Sequence, residues 1–338
     1  MSRTMPTERI PLNTLAIPFG VSGLAETWTF AGAYLDFSQW LSVALWSSAA
    51  VTWLWVLGAH IRRGAIVRIP LREQLAHPAQ GPIAALGHVV FILLGVAIGP
   101  YSLITAQIII GVGIVVAIVF AGWFIGKVLR GGIPVDAVHG GYFLPTAAGG
   151  YIASYASASL GWSGLAAGLF WFATLGWVVT FCLLTARLAL RPALPDALVP
   201  TLAILVAPPA VGGLAWFEMH PHVIDTAQSF LGITLVVMLL AQLVLLGMYR
   251  RIRFTLGFWS FTFPFAAVGS YGIAWLTALN VPGGQVIAVL LALAVTVLVL
   301  TIALLSLRLV SAVPRGGTIA AEQKVTDDDD RAETKVMR

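Results

Sequence analysis

Apolar residues run along this chain in long unbroken blocks separated by short polar joints. The blocks fall at 12–33, 38–60, 83–101, 103–126, 141–160, 163–186, 198–217, 225–248, 256–277 and 283–308. Each is close to the roughly 20 residues an α-helix needs to cross the hydrocarbon of a bilayer. A membrane β-barrel would read instead as short segments of alternating hydrophobicity. The pattern therefore predicts an all-α integral membrane protein of ten transmembrane helices. A cytoplasmic N-terminus takes 1–11, the ten-helix domain 12–309, and a polar tail 310–338 with the acidic run Asp327–Asp330. Low hydropathy and clustered charge make that tail a disordered segment.

A second pattern marks the odd-numbered blocks. Pro18-Phe-Gly-Val-Ser-Gly23, Pro145-Thr-Ala-Ala-Gly-Gly150, Pro208-Pro-Ala-Val-Gly-Gly213 and Pro264-Phe-Ala-Ala-Val-Gly269 align without gaps. The third block matches less well, with Leu94-Gly-Val-Ala-Ile-Gly99 lacking the proline. The even blocks are plain apolar helices. Proline removes a backbone donor and clashes with the preceding turn, so Pro18, Pro145, Pro208 and Pro264 are expected to kink their helices. In a membrane the freed groups are tolerated where they are buried in protein or line a cavity. Small residues beyond the proline allow close approach. The repeat thus predicts five helical hairpins in a quasi-five-fold arrangement, with the kinked odd helices lining a central pore and the even helices outside.

Charge gives the orientation. The joints after the second, fourth, sixth and eighth blocks hold Arg62, Arg63, Arg68, Arg72, Lys127, Arg130, Arg187, Arg191, Arg250, Arg251 and Arg253. The opposite joints hold Asp36, Glu218, His220, His222 and Asp225 and no Lys or Arg. With the basic residues of both termini, all 19 Lys and Arg fall on one side. The positive-inside rule makes that side the cytoplasm and the protein a multi-pass cell-membrane protein with both ends inside. Composition agrees, with 10% charged residues and a mean hydropathy of +0.92, against about 25% charged in soluble domains. The net charge of +5 is scattered through short joints and does not point to nucleic acid. Cys182 is the only cysteine, so no intramolecular disulfide forms. Paired metal-binding histidines on one helix and a phosphate-binding glycine loop are both missing, and His220 and His222 read as an exposed turn. No enzyme activity, metal or cofactor is expected.

Ile17-Pro-Phe-Gly20, His139-Gly-Gly-Tyr-Phe-Leu-Pro145, Leu205-Val-Ala-Pro208 and Phe258-Trp-Ser-Phe-Thr-Phe-Pro264, in this order on odd helices, resemble the tellurite-resistance/dicarboxylate transporter family. That family includes bacterial tellurite-resistance channels, fungal malate and sulfite transporters, and plant slow anion channels. The resemblance covers about residues 10–308. It implies a homotrimer whose protomers each hold a pore for small anions. It also implies that a phenylalanine of the ninth helix closes that pore, which on this sequence is Phe263. The repeat points to the same residue. The positions before the motif prolines are Ile17, Leu144, Ala207 and Phe263, and Phe263 is the bulkiest of them. Phe261 and Phe265 are its neighbours on other helix faces.

The expected lining is nearly uncharged. Polar groups would come from Thr14, Ser22, Thr146, Ser154, Ser157 and Ser270, and weak binding suits conduction because an ion must also leave. The reading is gated passive permeation of small anions. Its alternative is a proton-coupled carrier of malate-like dicarboxylates, or a sulfite- or tellurite-related efflux transporter. A coupled carrier needs a titratable group on the path, for which Glu26, His88 and His139 are the candidates.

Overall fold

The computed structural model describes residues 9–37, 39–67 and 70–312. The expectations for 1–8 and for the tail from 313 onward lie outside the described residues. Among the described residues the chain is helical, with no strand. The long helices are α1 (Ala16–Leu35), α2 (Trp40–Val67), α3 (Leu86–Ile98), α4 (Leu103–Leu129), α5 (Gly149–Ser159), α6 (Ser163–Leu190), α7 (Ala207–Met219), α8 (Thr226–Tyr249), α9 (Thr262–Leu279) and α10 (Gly284–Ala312).

Two kinds of helix are present. The odd helices pack on one another in the order α1, α3, α5, α7, α9 and back to α1, which closes a ring. Each even helix packs on the odd helix before it in the chain, and α10 also lies on α1. Similarly, α2 touches α3, α4 touches α5 and α6 touches α7, so the even helices fill grooves on the outside of the ring. Burial follows. The even helices are only 17–33% buried over their membrane-length windows, while the odd segments long enough to compare are 50–89% buried. Leu, Val and Ile on the even helices therefore face outward, where lipid replaces water as their solvent.

Length and composition mark eight helical segments as able to cross a membrane among the described residues. The sequence count of ten is not reached by that criterion, because α1 and α5 fall short. Both belong to the ring. Helices enclosed by others need no apolar girdle, so α1 can carry Ser22, Glu26 and Thr27, and α5 can carry Ser154 and Ser157, all buried. α5 is also short because a 3-10 segment, Gly140–Phe143, and a π turn, Leu144–Ala148, precede it.

The same device opens every odd helix. A 3-10 segment precedes α1 (Leu12–Leu15), α3 (Gly81–Ala85), α7 (Val199–Val206) and α9 (Leu256–Phe261) as well. The motif prolines explain it. Pro18 and Pro264 are the third residues of α1 and α9, and Pro208 is the second of α7. A proline in the first turn costs no hydrogen bond, because that N–H has no partner in the helix anyway. The prolines thus mark where the α-helix begins after a tighter turn, rather than bending a continuous helix in its middle.

This junction corrects the register of the third repeat. α3 starts at Leu86, so the place of the motif proline falls at Gly87 or His88 and not at Leu94. The small residues around Gly95 serve a different contact, since a Cβ at Gly95 would press on Ile109 and Ile110 of α4. The third helix is a full member of the ring.

Candidate functional site

The five 3-10 segments follow the basic joints, so they lie at the basic end of the bundle. Where they meet the α-helices they enclose a cavity of about 50 Å³ lined from all five repeats. The lining includes Ala16 and Phe19, Ile83 and Leu86, Phe143 and Leu144, Ile204 and Ala207, and Trp259 and Phe263. Asn13, Thr201 and Ser260 are its only polar side chains, and no ionised group lines it. A space of this size with so few polar partners holds water poorly.

Phe263 lines the cavity. It is 2% exposed, and its ring stacks on Phe19 with centroids 3.6 Å apart and planes 14° apart. Such a pair is worth about 0.5–1.5 kcal/mol beyond its area burial. The close approach of α1 and α9 makes the stack possible. At Gly23 a Cβ would come 2.8 Å from Cβ of Ala266 and 3.0 Å from the Phe263 ring, so only glycine leaves the room. Phe261 and Phe265 stack on each other at 6.0 Å on another face and do not line the cavity.

The structure sorts the residues expected from sequence. Leu144, Ala207 and Phe263 line the one cavity, whereas Ile17 does not and Ala16 and Phe19 stand in its place. The first α-helical turn rotates Ile17 away from the axis. Five of the six hydroxyls expected along the path bond to neighbouring groups. Thr14 bonds Pro11 O and faces His60 of α2 at 2.9 Å. Ser22 donates to Pro18 O and Ser157 to Ala153 O. Ser154 donates to Ala166 O of α6 at 2.8 Å, and Thr146 lies against Gly176 of the same helix. Ser270 bonds Thr27 and Ala266 O between α1 and α9. None of these six lines the cavity. In a helical bundle the nearest backbone carbonyl satisfies a hydroxyl that has no water to bond.

Of the titratable groups, His139 is fully buried with both ring nitrogens engaged. Nδ1 accepts from Gly141 N at 3.1 Å, and Nε2 lies 3.0 Å from Ala79 O. It ties the joint before α3 to the start of the fifth helix. His88 is buried beside Phe120, with ring centroids 5.4 Å apart, and Nε2 has no hydrogen-bond partner among the described residues. Neither histidine lines the cavity. Glu26 lies seven residues beyond Phe19 on α1, two turns or roughly 10 Å toward the acidic end.

Several basic side chains hold the basic end together. Lys127 Nζ donates to Leu75 O and Ala76 O. Arg187 is 2% exposed and donates to Asp136 O and Pro192 O, while Arg191 pairs with Asp136 at 3.2 Å. At the acidic end Asp225 caps α8, accepting from Gln228 N and from Trp216 Nε1. Sequence reasoning misses Phe19, although it stands next to a motif proline as Phe265 does.

Residues 9–307 match the family described as SLAC1, voltage-dependent anion channel. The chain is 26% identical to the S-type anion channel SLAH2 of Arabidopsis thaliana, over 87% of this chain and 58% of that protein. It is 24% identical to the S-type anion channel SLAH3 of the same plant, over 86% and 47%. It is 19% identical to the tellurite resistance protein TehA homolog of Haemophilus influenzae, over 79% and 81%. The chain spans about half the length of the two plant relatives.

Proposed function

Because the chain belongs to the voltage-dependent anion channel family, we propose that it carries small anions passively through the ring of odd helices, along a path that Phe263 closes. The observation that carries this reading is the sealed Phe263–Phe19 stack at the head of a cavity lined from all five repeats. An ion entering an apolar constriction loses its water, which costs many kcal/mol. Swinging one ring aside widens and wets the path, so a side chain can gate it. Passive flow is favoured over proton coupling by the two histidines, since His139 is held through both nitrogens and His88 packs off the axis. The anion is tested by replacing chloride with nitrate, sulfite and malate across bilayers containing the purified protein. Current that follows the anion gradient supports a channel; zero current with all four, alongside uptake of labelled malate, supports a carrier.

The basic end faces the cytoplasm in this reading, by the positive-inside rule. In a Cys182→Ser background, a thiol placed by Arg130→Cys should react with an impermeant reagent only from the cytoplasmic side. Reaction from outside reverses the orientation.

A further inference from the structure

The cavity at the basic end is lined by two polar side chains that the fold leaves unused. Asn13 Oδ1 is sealed without a hydrogen-bond partner among the described residues. Its Nδ2 is open and has none there either. Ser260 likewise makes no side-chain hydrogen bond among them. A serine in a helical turn commonly bonds a carbonyl three or four residues back. Ser22, Ser157 and Ser270 do so here, and so does Thr262, two residues from Ser260. The other polar groups of the lining are engaged. Thr201 accepts from Gly140 N and donates to Leu198 O, and Trp259 Nε1 donates to Ser306.

The two free groups belong to segments that pack on each other, Leu12–Leu15 and Leu256–Phe261. Ser260 is three residues before Phe263, and Asn13 is three before Ala16 and six before Phe19. Residues three apart line up along a 3-10 turn, and all five of these line the cavity. Asn13 and Ser260 therefore stand a turn or two to the basic side of the Phe19–Phe263 stack. Both are half-buried, whereas the two rings are sealed, so the pair is reached from the basic end while the stack is shut. Leaving a carboxamide oxygen sealed and unbonded costs free energy that a leucine of similar size would not. With that oxygen sealed, the group Asn13 presents to open space is its NH2.

We propose that the Asn13 carboxamide and the Ser260 hydroxyl bind one small monovalent anion at the basic rim of the neck, and so set a preference for monovalent over divalent anions. The carboxamide supplies N–H donors and the hydroxyl an O–H donor, which is what an anion shedding part of its water needs. Water on the basic-end side stays with the ion, so only the face turned to the rings is replaced by protein. The donors are neutral, and neutral hydrogen bonds are about half as strong as those of ionised groups. They offset the partial dehydration of a single charge; the dehydration of a dianion is far costlier. Binding of this weak kind also lets the ion move on when the ring swings aside. This inference rests on the pore reading above.

The test uses the full chain in bilayers, with Phe263→Ala as background so that current is large, and reads chloride current against KCl concentration. Asn13→Leu and Ser260→Ala should each raise the half-saturating chloride concentration by about two- to tenfold, the worth of one net hydrogen bond. Together they should raise it further, and should lower the permeability of chloride relative to malate by a similar factor. Asn13→Asp keeps the size and loses both N–H donors, so it should raise the half-saturating concentration at least as far as Asn13→Leu. No partner is lost in any of these variants, so they should fold. A double variant with unchanged half-saturation and unchanged chloride-to-malate ratio shows that the pair holds water alone, and overturns the inference while leaving the pore intact. A rise in Asn13→Leu that Asn13→Asp does not share marks packing rather than donation, and overturns it as well. An absence of anion current in Phe263→Ala itself overturns the pore reading and this inference with it.

Discussion

Phe263→Ala should raise anion current through the reconstituted protein by roughly tenfold or more. The stack on Phe19 holds the ring in place by about 0.5–1.5 kcal/mol, which alone is about a two- to tenfold change in the population of a displaced ring. Truncation goes further, because it removes the ring from every conformation. Phe263 is 2% exposed and lines the cavity together with Phe19, Phe143 and Trp259, so its truncation should open space where these rings meet. Phe265→Ala is the matched control. Phe265 stacks on Phe261 on another face, so its loss should leave current near that of the wild type. Equal currents in wild type and Phe263→Ala, with the protein folded in both, remove Phe263 from the gate.

Gly23→Ala should destabilise the ring where Gly58→Ala does not. The added methyl at Gly23 would stand 2.8 Å from Ala266 Cβ and 3.3 Å from Phe263 Cα. The backbone atom cannot yield as a side-chain tip can, so α1 and α9 must part. Overpacking of this kind costs about 1–3 kcal/mol. At Gly58, in the outer helix α2, the same methyl meets nothing within 4 Å, and alanine is the better helix former by about 1 kcal/mol. Thermal unfolding in detergent should therefore show a clear loss for Gly23→Ala and none for Gly58→Ala. Because the clash is with the residue proposed to close the path, Gly23→Ala should also leak anions. Equal melting temperatures for the two variants would mean that the α1–α9 contact is not the tight joint described.

The division into two kinds of helix is legible in the sequence because proline and glycine act locally. A proline must sit in a first turn, and a glycine at a close contact leaves a gap-free motif, so Pro18 to Gly23 and Pro264 to Gly269 can be matched without knowing the fold. The third repeat is misplaced by the motif because its junction lacks the proline; Leu86 begins α3 through the same 3-10 turn, which composition does not reveal. The hydroxyls of Ser154 and Ser270 do not line the basic-end cavity. Sequence shows that they lie in a ring helix but not their partners, which are the carbonyls of Ala166 and Ala266. Glu218 reads as a joint residue because the apolar block stops at 217. α7 continues to Met219, and Glu218 lines a cavity at its end. Extending the repeat ten residues past Pro208 finds it.

The central claim is that the ring of odd helices encloses an anion path, and the reversal potential of Phe263→Ala in a tenfold KCl gradient tests it most directly. The account predicts a reversal near the chloride equilibrium potential, about 59 mV from zero for a monovalent ion. A reversal at the potassium potential of opposite sign, or no current at all, would contradict it.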